Sequence, residues 1–556
     1  MNAWRHYAVV LLFLTACCGL AVRVVYLAVS EKQFLQEQGD ARSVRSEVIP
    51  SYRGVVYDRL GEPLAVSTPV VAVWTDPTSV RLSNTDIARL APSLDLSPKS
   101  LARLLTDNAE KSFVYLKRQV SWTAAEKIRG LEIEGLYFHG AYHRYYPAAE
   151  TTAHLVGVTD VDDVGLEGVE LAFDHLLKGQ HGQKVVLKDR LGNTIRDLNY
   201  VRAPRFGKDL NLSVDLRLQY FAHRELKAAV EHHSATSGSL VMLDVDTGEI
   251  LALVNAPSYN PNEPLKPGYA GMRNRAVTDT YEPGSTVKPF TVLAALESGR
   301  YQPGTQIDTA PGYFRVGNKL VQDPVNLGSI SLAEALQKSS QVGITKVALQ
   351  LDKRAVFDVL LRAGVGQYIG TGLPGESLGS ISEAGLDNPV IRATLAYGYG
   401  LTLSPLQLAQ AYLVIANGGV RMPLSAIKIH EPPKGERVYN QRDVQDVLAM
   451  MERVTTLGGT APRASVAGYR VAGKTGTVRV VVETGYSDEL HVALFAGIVP
   501  VSDPRIVMVV VVNEPTRGGI GGGVVAAPVF SRVAERALRL LGVEPDAARS
   551  ERVRSI

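Results

Sequence analysis

A serine hydroxyl is a weak nucleophile and needs a neighbour that takes its proton before it can attack an acyl carbon. Ser285 has such a neighbour in Lys288, three residues on. Ser285 follows Pro283-Gly284 and opens an apolar run through Phe290, Val292, Leu293 and Leu296, which reads as the start of a helix. Positions i and i+3 share one helix face, so the Lys288 ammonium is expected beside the Ser285 hydroxyl. Unpaired N–H groups and positive potential at a helix start also suit developing negative charge. Two later stretches, Ser339-Ser340-Gln341 and Lys474-Thr475-Gly476-Thr477, add a second hydroxyl, a second ammonium and small hydrogen-bonding residues. The set suits acyl transfer from an amide. Lys288 serves as a base only if its pKa is lowered, which burial and the second cation Lys474 would both do.

Two decoys fall away on context. Ser425 and Lys428 repeat the Ser-x-x-Lys spacing, but Leu424 to Ile429 alternates like a strand. Residues three apart on a strand point to opposite faces, so that pair cannot share a site. Ser258-Tyr259-Asn260 lies in a Pro- and Asn-rich loop and precedes Ser285 instead of following it.

The elements that must position these residues read as an α+β domain. Leu210 to Val214 is strand-like, and Asp215 caps a helix with Leu218, Ala222, Leu226 and Val230 on one face. Ser239 to Val245 and Glu249 to Val254 are apolar runs joined by Asp246-Thr247-Gly248, a hairpin signal. Lys474 to Val482, His491 to Ile498 and Arg505 to Val512 are three more strands, and Phe530 to Leu541 is a helix closed by Gly542. A mostly helical stretch lies between the two strand groups. The expected architecture is an antiparallel sheet with helices on its faces. On its strand, Gly476 is expected to leave room for a substrate backbone.

Upstream, Ile49 to about Lys208 mixes short strands such as Val70 to Trp74, turns, and a helix that Ser121 caps and that ends before Gly130. Glu31 to Glu47 is polar and helix-prone, a stalk. Tyr7 to Val29 is apolar except for Arg23, and about 20 such residues span a bilayer. Arg5 in the short N-terminal tail fits a cytoplasmic start with the rest translocated. A cleaved signal peptide would need a small-residue cleavage site before polar sequence, which is not evident. Leu14-Thr15-Ala16-Cys17 resembles a lipobox, but the apolar run continues well past Cys17. Cys17 and Cys18 are the two cysteines of the chain; adjacent in an apolar segment, they are poor disulfide partners.

The 556 residues suffice for three to four average domains, or a large one with a smaller one. A net charge of +3, with no basic run interleaved with aromatics, argues against nucleic acid as a partner. No His/Cys cluster has ligand spacing, so no metal is expected.

In order, the three stretches resemble the S-x-x-K, S-x-N and K-T-G motifs of penicillin-interacting serine acyl-transferases, with Gln341 in place of the motif's Asn. Arg53-Gly54-Val55-Val56-Tyr57-Asp58-Arg59-Leu60-Gly61, Arg144-Tyr145-Tyr146-Pro147 and Gly165-Leu166-Glu167-Gly168-Val169-Glu170 resemble signatures of class B penicillin-binding proteins of the division type. Tyr281-Glu282-Pro283-Gly284 and Val471-Ala472-Gly473 match too, so the resemblance covers nearly the whole chain. It implies a cytoplasmic tail (1–6), a transmembrane helix (7–29), a stalk (30–48), a non-catalytic pedestal (49–208), a transpeptidase domain (209–544) and a loose polar tail (545–556). It further implies an inner-membrane, single-pass enzyme with its catalytic domain in the periplasm.

The resemblance implies that Ser285 is the nucleophile of a peptidoglycan D,D-transpeptidase, with Lys288, Ser339 and Lys474 moving protons. Thr475 and Thr477 would hold the substrate carboxylate, and the backbone N–H groups of Ser285 and Thr477 the oxyanion. Gln341 keeps the amide of the motif's Asn but adds a methylene. No cofactor is implied. The implied partners are peptidoglycan stem peptides, β-lactams, a membrane-embedded glycosyltransferase and division proteins. The rival functions are a β-lactamase or β-lactam sensor, and a catalytically weakened division scaffold.

Overall fold

The computed structural model describes residues 3–189, 194–264, 268–483 and 485–547. The chain divides into two compact units, and it passes between them several times. One unit holds residues 1–54, 67–143 and 178–208; the other holds 55–66, 144–177 and 209–556.

The smaller unit begins with helix α1 (Ala3–Val29), which starts ahead of the apolar run at Tyr7 and buries none of its side chains. It is long and apolar enough to cross a membrane. Cys17 and Cys18 are exposed on it. The expected stalk is helical only over α2 (Lys32–Ser43); its end, β1 (Val44–Ile49), is a strand. β1 pairs antiparallel with a later strand, Gly182–Lys188, which pairs in turn with Thr194–Arg202. That pairing supplies the backbone partners that the alternation of Val44, Ser46 and Val48 in β1 allows, and it overrides the helical propensity of the preceding residues. Strand β2 (Pro63–Thr75) is longer than the apolar core at Val70 to Trp74 suggests. It pairs with β3 (Val114–Val120), and Val71, Val73, Leu90, Leu94, Leu101 and Leu116 form the local core. Helix α3 (Trp122–Arg129) starts where Ser121 Oγ accepts from Ala124 N.

The larger unit is a sheet between two helical layers. Its antiparallel strands are β4 (Ser237–Asp244), β5 (Ile250–Ala256), β6 (Ala472–Val482), β7 (Gly485–Val499) and β8 (Ile506–Asn513), in the spatial order β5-β4-β8-β7-β6. Every residue of β4, β5 and β8 is buried, as a sheet covered on both faces requires. Val241, Leu243, Val507 and Val509 face one core, and Leu240, Met242, Met508 and Val510 face the other. Helix α4 (Leu216–His232), capped by Asp215, shares the second core with Phe530 and Val533 of the last helix, Ala527–Leu540. The helices that cover the first face or adjoin it include α5 (Lys288–Glu297), α6 (Gln341–Gln350) and α7 (Pro405–Ala416).

Leu210 to Val214 is strand only over Leu210–Asn211, because its sole ladder is a short parallel one with Val56–Tyr57. The signature stretches act structurally in this unit. Asp58 accepts from Leu60 N and Glu62 N and also from Leu216 N at the start of α4. Arg144 Nε meets Glu170 Oε1 at 2.7 Å with both side chains buried. The C-terminal segment is not loose at its start. Asp546 is 5% exposed and accepts from Arg470 N and Ser502 N. Residues 548–556 of the expected tail lie outside the described residues.

Candidate active site

Ser285 does not open an α-helix directly. Gly284–Val287 is a single 3₁₀ turn, and α5 begins at Lys288 with Pro289 in its first turn. Pro289 lacks a backbone N–H, and the first turn of a helix has no use for one. The turn is bound on several sides. Gly284 N donates to Gly398 O, and Tyr281 and Leu403 exchange a pair of backbone hydrogen bonds. Gly400 N donates to the Glu282 carboxylate, and Tyr412 of α7 donates to Thr286 O at 2.7 Å. Gly476 completes the clamp. A Cβ built there would lie 3.0 Å from Pro283 O and 3.1 Å from Thr286 Cγ2. The glycine therefore admits the Ser285 turn.

Lys288 and Lys474 are both fully buried, and their ammonium groups converge on Ser339. Lys288 Nζ donates to Ser339 O at 2.5 Å and to Ser339 Oγ at 3.1 Å, and Lys474 Nζ donates to the same Oγ at 2.9 Å. Lys474 Nζ also donates to Thr475 O. The hydroxyl thus accepts from both amines through its two lone pairs and keeps its own proton to donate. In this arrangement the Lys288 side chain is held by the carbonyl and hydroxyl of Ser339. Burial lowers Lys288 to about 7 against a raising pull from Asp323. Burial first, then the neighbouring Lys288, holds Lys474 well below the usual lysine range. Two buried amines this close cannot both stay charged at neutral pH, so the pair holds an amine able to accept a proton.

Ser339 adopts φ +60°, a left-handed conformation that costs a non-glycine residue roughly 1–2 kcal/mol. Asp323 offsets that cost, and nothing in the sequence reading pointed to it. Its carboxylate is 3% exposed and accepts from Ser340 Oγ at 2.5 Å, Gln341 N at 2.5 Å and Val342 N at 3.2 Å. Ser340 Oγ in turn accepts from Gly343 N and so caps α6. Asp323 follows the hairpin of Tyr313–Val316 and Lys319–Gln322, and no spacing rule links a lone acid there to a helix start 17 residues on.

The remaining expected residues sit around this cluster. Gln341 is the first residue of α6, with a half-buried side chain. Thr475 is buried, and its hydroxyl meets that of Thr460 at 2.9 Å. Thr477 is exposed, and its Oγ1 accepts from Gly522 N. The decoys are elsewhere engaged: Ser425 Oγ donates to Ile427 O and Lys428 Nζ to Arg59 O, while Ser258 Oγ donates to Glu150 O. A cavity of about 660 Å³ lined by Tyr301, Ile307, Phe314 and Lys346 lies apart from the cluster and shares no side chain with it. Among the described residues no group of three or more His, Cys, Asp and Glu side chains could hold a metal ion.

A serine on a tight turn, with two buried lysines meeting at a second serine behind it and a glycine-bearing strand alongside, defines a serine acyl-transferase. The description "penicillin binding protein transpeptidase domain" matches residues 238–535, and "penicillin-binding protein dimerisation domain" matches residues 48–212. The chain is 40% identical to the peptidoglycan D,D-transpeptidase FtsI of Escherichia coli over 98% of its own length and 93% of the relative. It is 38% identical to the probable peptidoglycan D,D-transpeptidase PbpC of Pseudomonas aeruginosa over 98% of this chain and 96% of that one. Among solved structures, penicillin-binding protein 3 of Mycobacterium tuberculosis in complex with aztreonam is 26% identical with a TM-score of 0.69, covering 90% of this chain and 98% of that one. The transpeptidase domain of penicillin-binding protein 3 from Burkholderia pseudomallei is 40% identical with a TM-score of 0.55, covering 60% of this chain and 97% of that one. The chain belongs to the penicillin-binding protein transpeptidase family.

Proposed function

We infer that this chain is a peptidoglycan D,D-transpeptidase that crosslinks stem peptides through a serine acyl-enzyme and is a target of β-lactams. The observation that carries the chemical reading is the Ser339 hydroxyl bridging Lys288 Nζ and Lys474 Nζ beside the clamped Ser285 turn. Neutral Lys288 takes the Ser285 proton as Oγ attacks the penultimate D-alanyl carbonyl. The proton passes by way of Ser339 to the departing amine, terminal D-alanine leaves, and an ester to Ser285 remains. An amine of a neighbouring stem peptide then attacks that ester and gives a proton to the lysine pair, which passes it to Ser285 Oγ as the ester C–O bond breaks, so the hydroxyl and the neutral amine are both restored. The N–H groups of Ser285 and Thr477 hold the oxyanion, and such donors contribute about 3–4 kcal/mol each to lowering a barrier. Lys474 with Thr475 and Thr477 receives the terminal carboxylate, and Gln341 contacts the donor peptide.

The finer placement is read from the family and from helix α1. α1 anchors the chain in the cytoplasmic membrane with the catalytic unit on the periplasmic side. The enzyme acts in septal wall synthesis beside a membrane glycosyltransferase and division proteins.

Incubation of the full chain in detergent with a fluorescent penicillin tests the chemistry. A long-lived covalent label is expected, absent from Ser285→Ala at an unchanged melting temperature. Rapid release of hydrolysed penicillin would indicate a β-lactamase, and no label on the parent chain a scaffold.

A further inference from the structure

Asp323 carries a buried carboxylate that no step of the acyl-transfer scheme uses, yet it binds the three residues that follow Ser339, the meeting point of both lysines. Its two carboxylate oxygens accept three hydrogen bonds, from Ser340 Oγ, Gln341 N and Val342 N. Each is short or charge-assisted, the strong kind of protein hydrogen bond. They grip the residues directly after Ser339, whose left-handed backbone is held only if its surroundings over-determine it. The positions of Ser339 Oγ and Ser339 O, the two acceptors of Lys288, follow from that grip.

We propose that Asp323 is a positioning residue for acylation: it locks the Ser339–Ser340–Gln341 turn under the two lysines and serves as the counter-ion of that buried pair. The proposal rests on the transpeptidase reading and adds an electrostatic role to the hairpin that carries Asp323. Three groups on separate elements surround the Lys288 amine: Lys474 from β6, which shares the Ser339 hydroxyl and whose own charged form Lys288 disfavours, the Asp323 carboxylate after the hairpin, and the Ser339 hydroxyl and carbonyl before α6. Burial favours a neutral Lys288. Asp323 opposes burial and keeps the Lys288 proton on to higher pH. Its carboxylate also lies at the start of α6, at the positive end of the helix dipole. Without that charge, Lys288 gives up its proton at lower pH, and the acid limb of the acylation profile moves down.

The test is the pH profile of acylation by a chromogenic β-lactam on the full chain, with melting temperature measured alongside. Asp323→Asn keeps the shape and removes the charge. Its acid limb is expected about one pH unit lower than the parent's, the size of effect a single nearby charge has at a partly screened site. Its plateau is expected roughly tenfold lower. Asp323→Glu keeps the charge on a longer arm, so its limb stays in place while the plateau falls. Ser340→Ala removes one of the three bonds without changing charge and is expected to behave like Asp323→Glu. A parent-like limb and plateau in Asp323→Asn would overturn the proposal while leaving the transpeptidase reading intact. So would a lowered plateau with an unmoved limb in all three variants, which is what a merely structural carboxylate produces. A parent chain that forms no adduct at any pH would overturn both readings.

Discussion

Lys288, Ser339 and Lys474, each marked by a short spacing in the chain, meet in one hydrogen-bonded cluster. What those spacings do not contain is direction. Lys288 bonds to Ser339, 51 residues on, because Ser339 offers both a carbonyl and a hydroxyl. Asp323 stayed hidden for a related reason: its partners are backbone N–H groups, which every residue but proline carries and no sequence pattern marks. Gln341 is a departure at a position whose backbone is held by Asp323, so its extra methylene must be absorbed by the side chain alone. Gln341→Asn is expected to change the β-lactam acylation rate by severalfold to 100-fold without a change in melting temperature, since displacements of about 1 Å in an active site reach that size. Identical acylation kinetics for the two forms would mean that the longer amide reaches the same contacts.

Strands and helices with a clear hydrophobic period came out where they were expected. β4, β5, β6, β8 and α4 lie within a few residues of the apolar runs, because burial on both faces or along one stripe is written directly in residue order, whereas β7 begins six residues ahead of its run, in an exposed stretch that pairs with the end of β6. Elements that depend on a distant partner did not. β1 was read as the end of a stalk, and its partner Gly182–Lys188 lies more than a hundred residues away. The nucleophile turn shows the same dependence. The sequence suggests a helix start, and the bonds to Gly398, Leu403, Gly400 and Tyr412 instead hold a 3₁₀ turn ahead of it. Gly476→Ala tests that clamp. The added methyl must push Pro283 O or Thr286 aside. Overpacking of this kind costs about 1–3 kcal/mol. Acylation by penicillin is expected to fall at least tenfold, with a melting temperature lowered by a few degrees. Full-rate acylation in this variant would show that the turn tolerates displacement.

Helix α1 buries no side chain, so nothing in its own packing ties the fold to it. Removal of residues 3–29 is expected to move the protein from the membrane fraction to the soluble fraction while penicillin still labels Ser285 at the parent rate. Ultracentrifugation followed by labelling measures both, and loss of labelling would mean that α1 contributes to folding. The chain's division into units is a property of the same kind. Within the stretch 49–208, residues 55–66 and 144–177 pack with the larger unit, where Asp58 binds the start of α4 and Arg144 pairs with Glu170. The family, the motif serines and lysines, an apolar helix long enough to cross a membrane and the sheet strands were all present in residue types and spacings, because hydrophobic period and local motif are properties of neighbours in the chain. The meeting of both lysines at Ser339, the counter-charge of Asp323, the close approach that demands Gly476 and the discontinuous units came from folding, because each is a contact between residues far apart in the chain, and buried contacts at such separations leave no local trace.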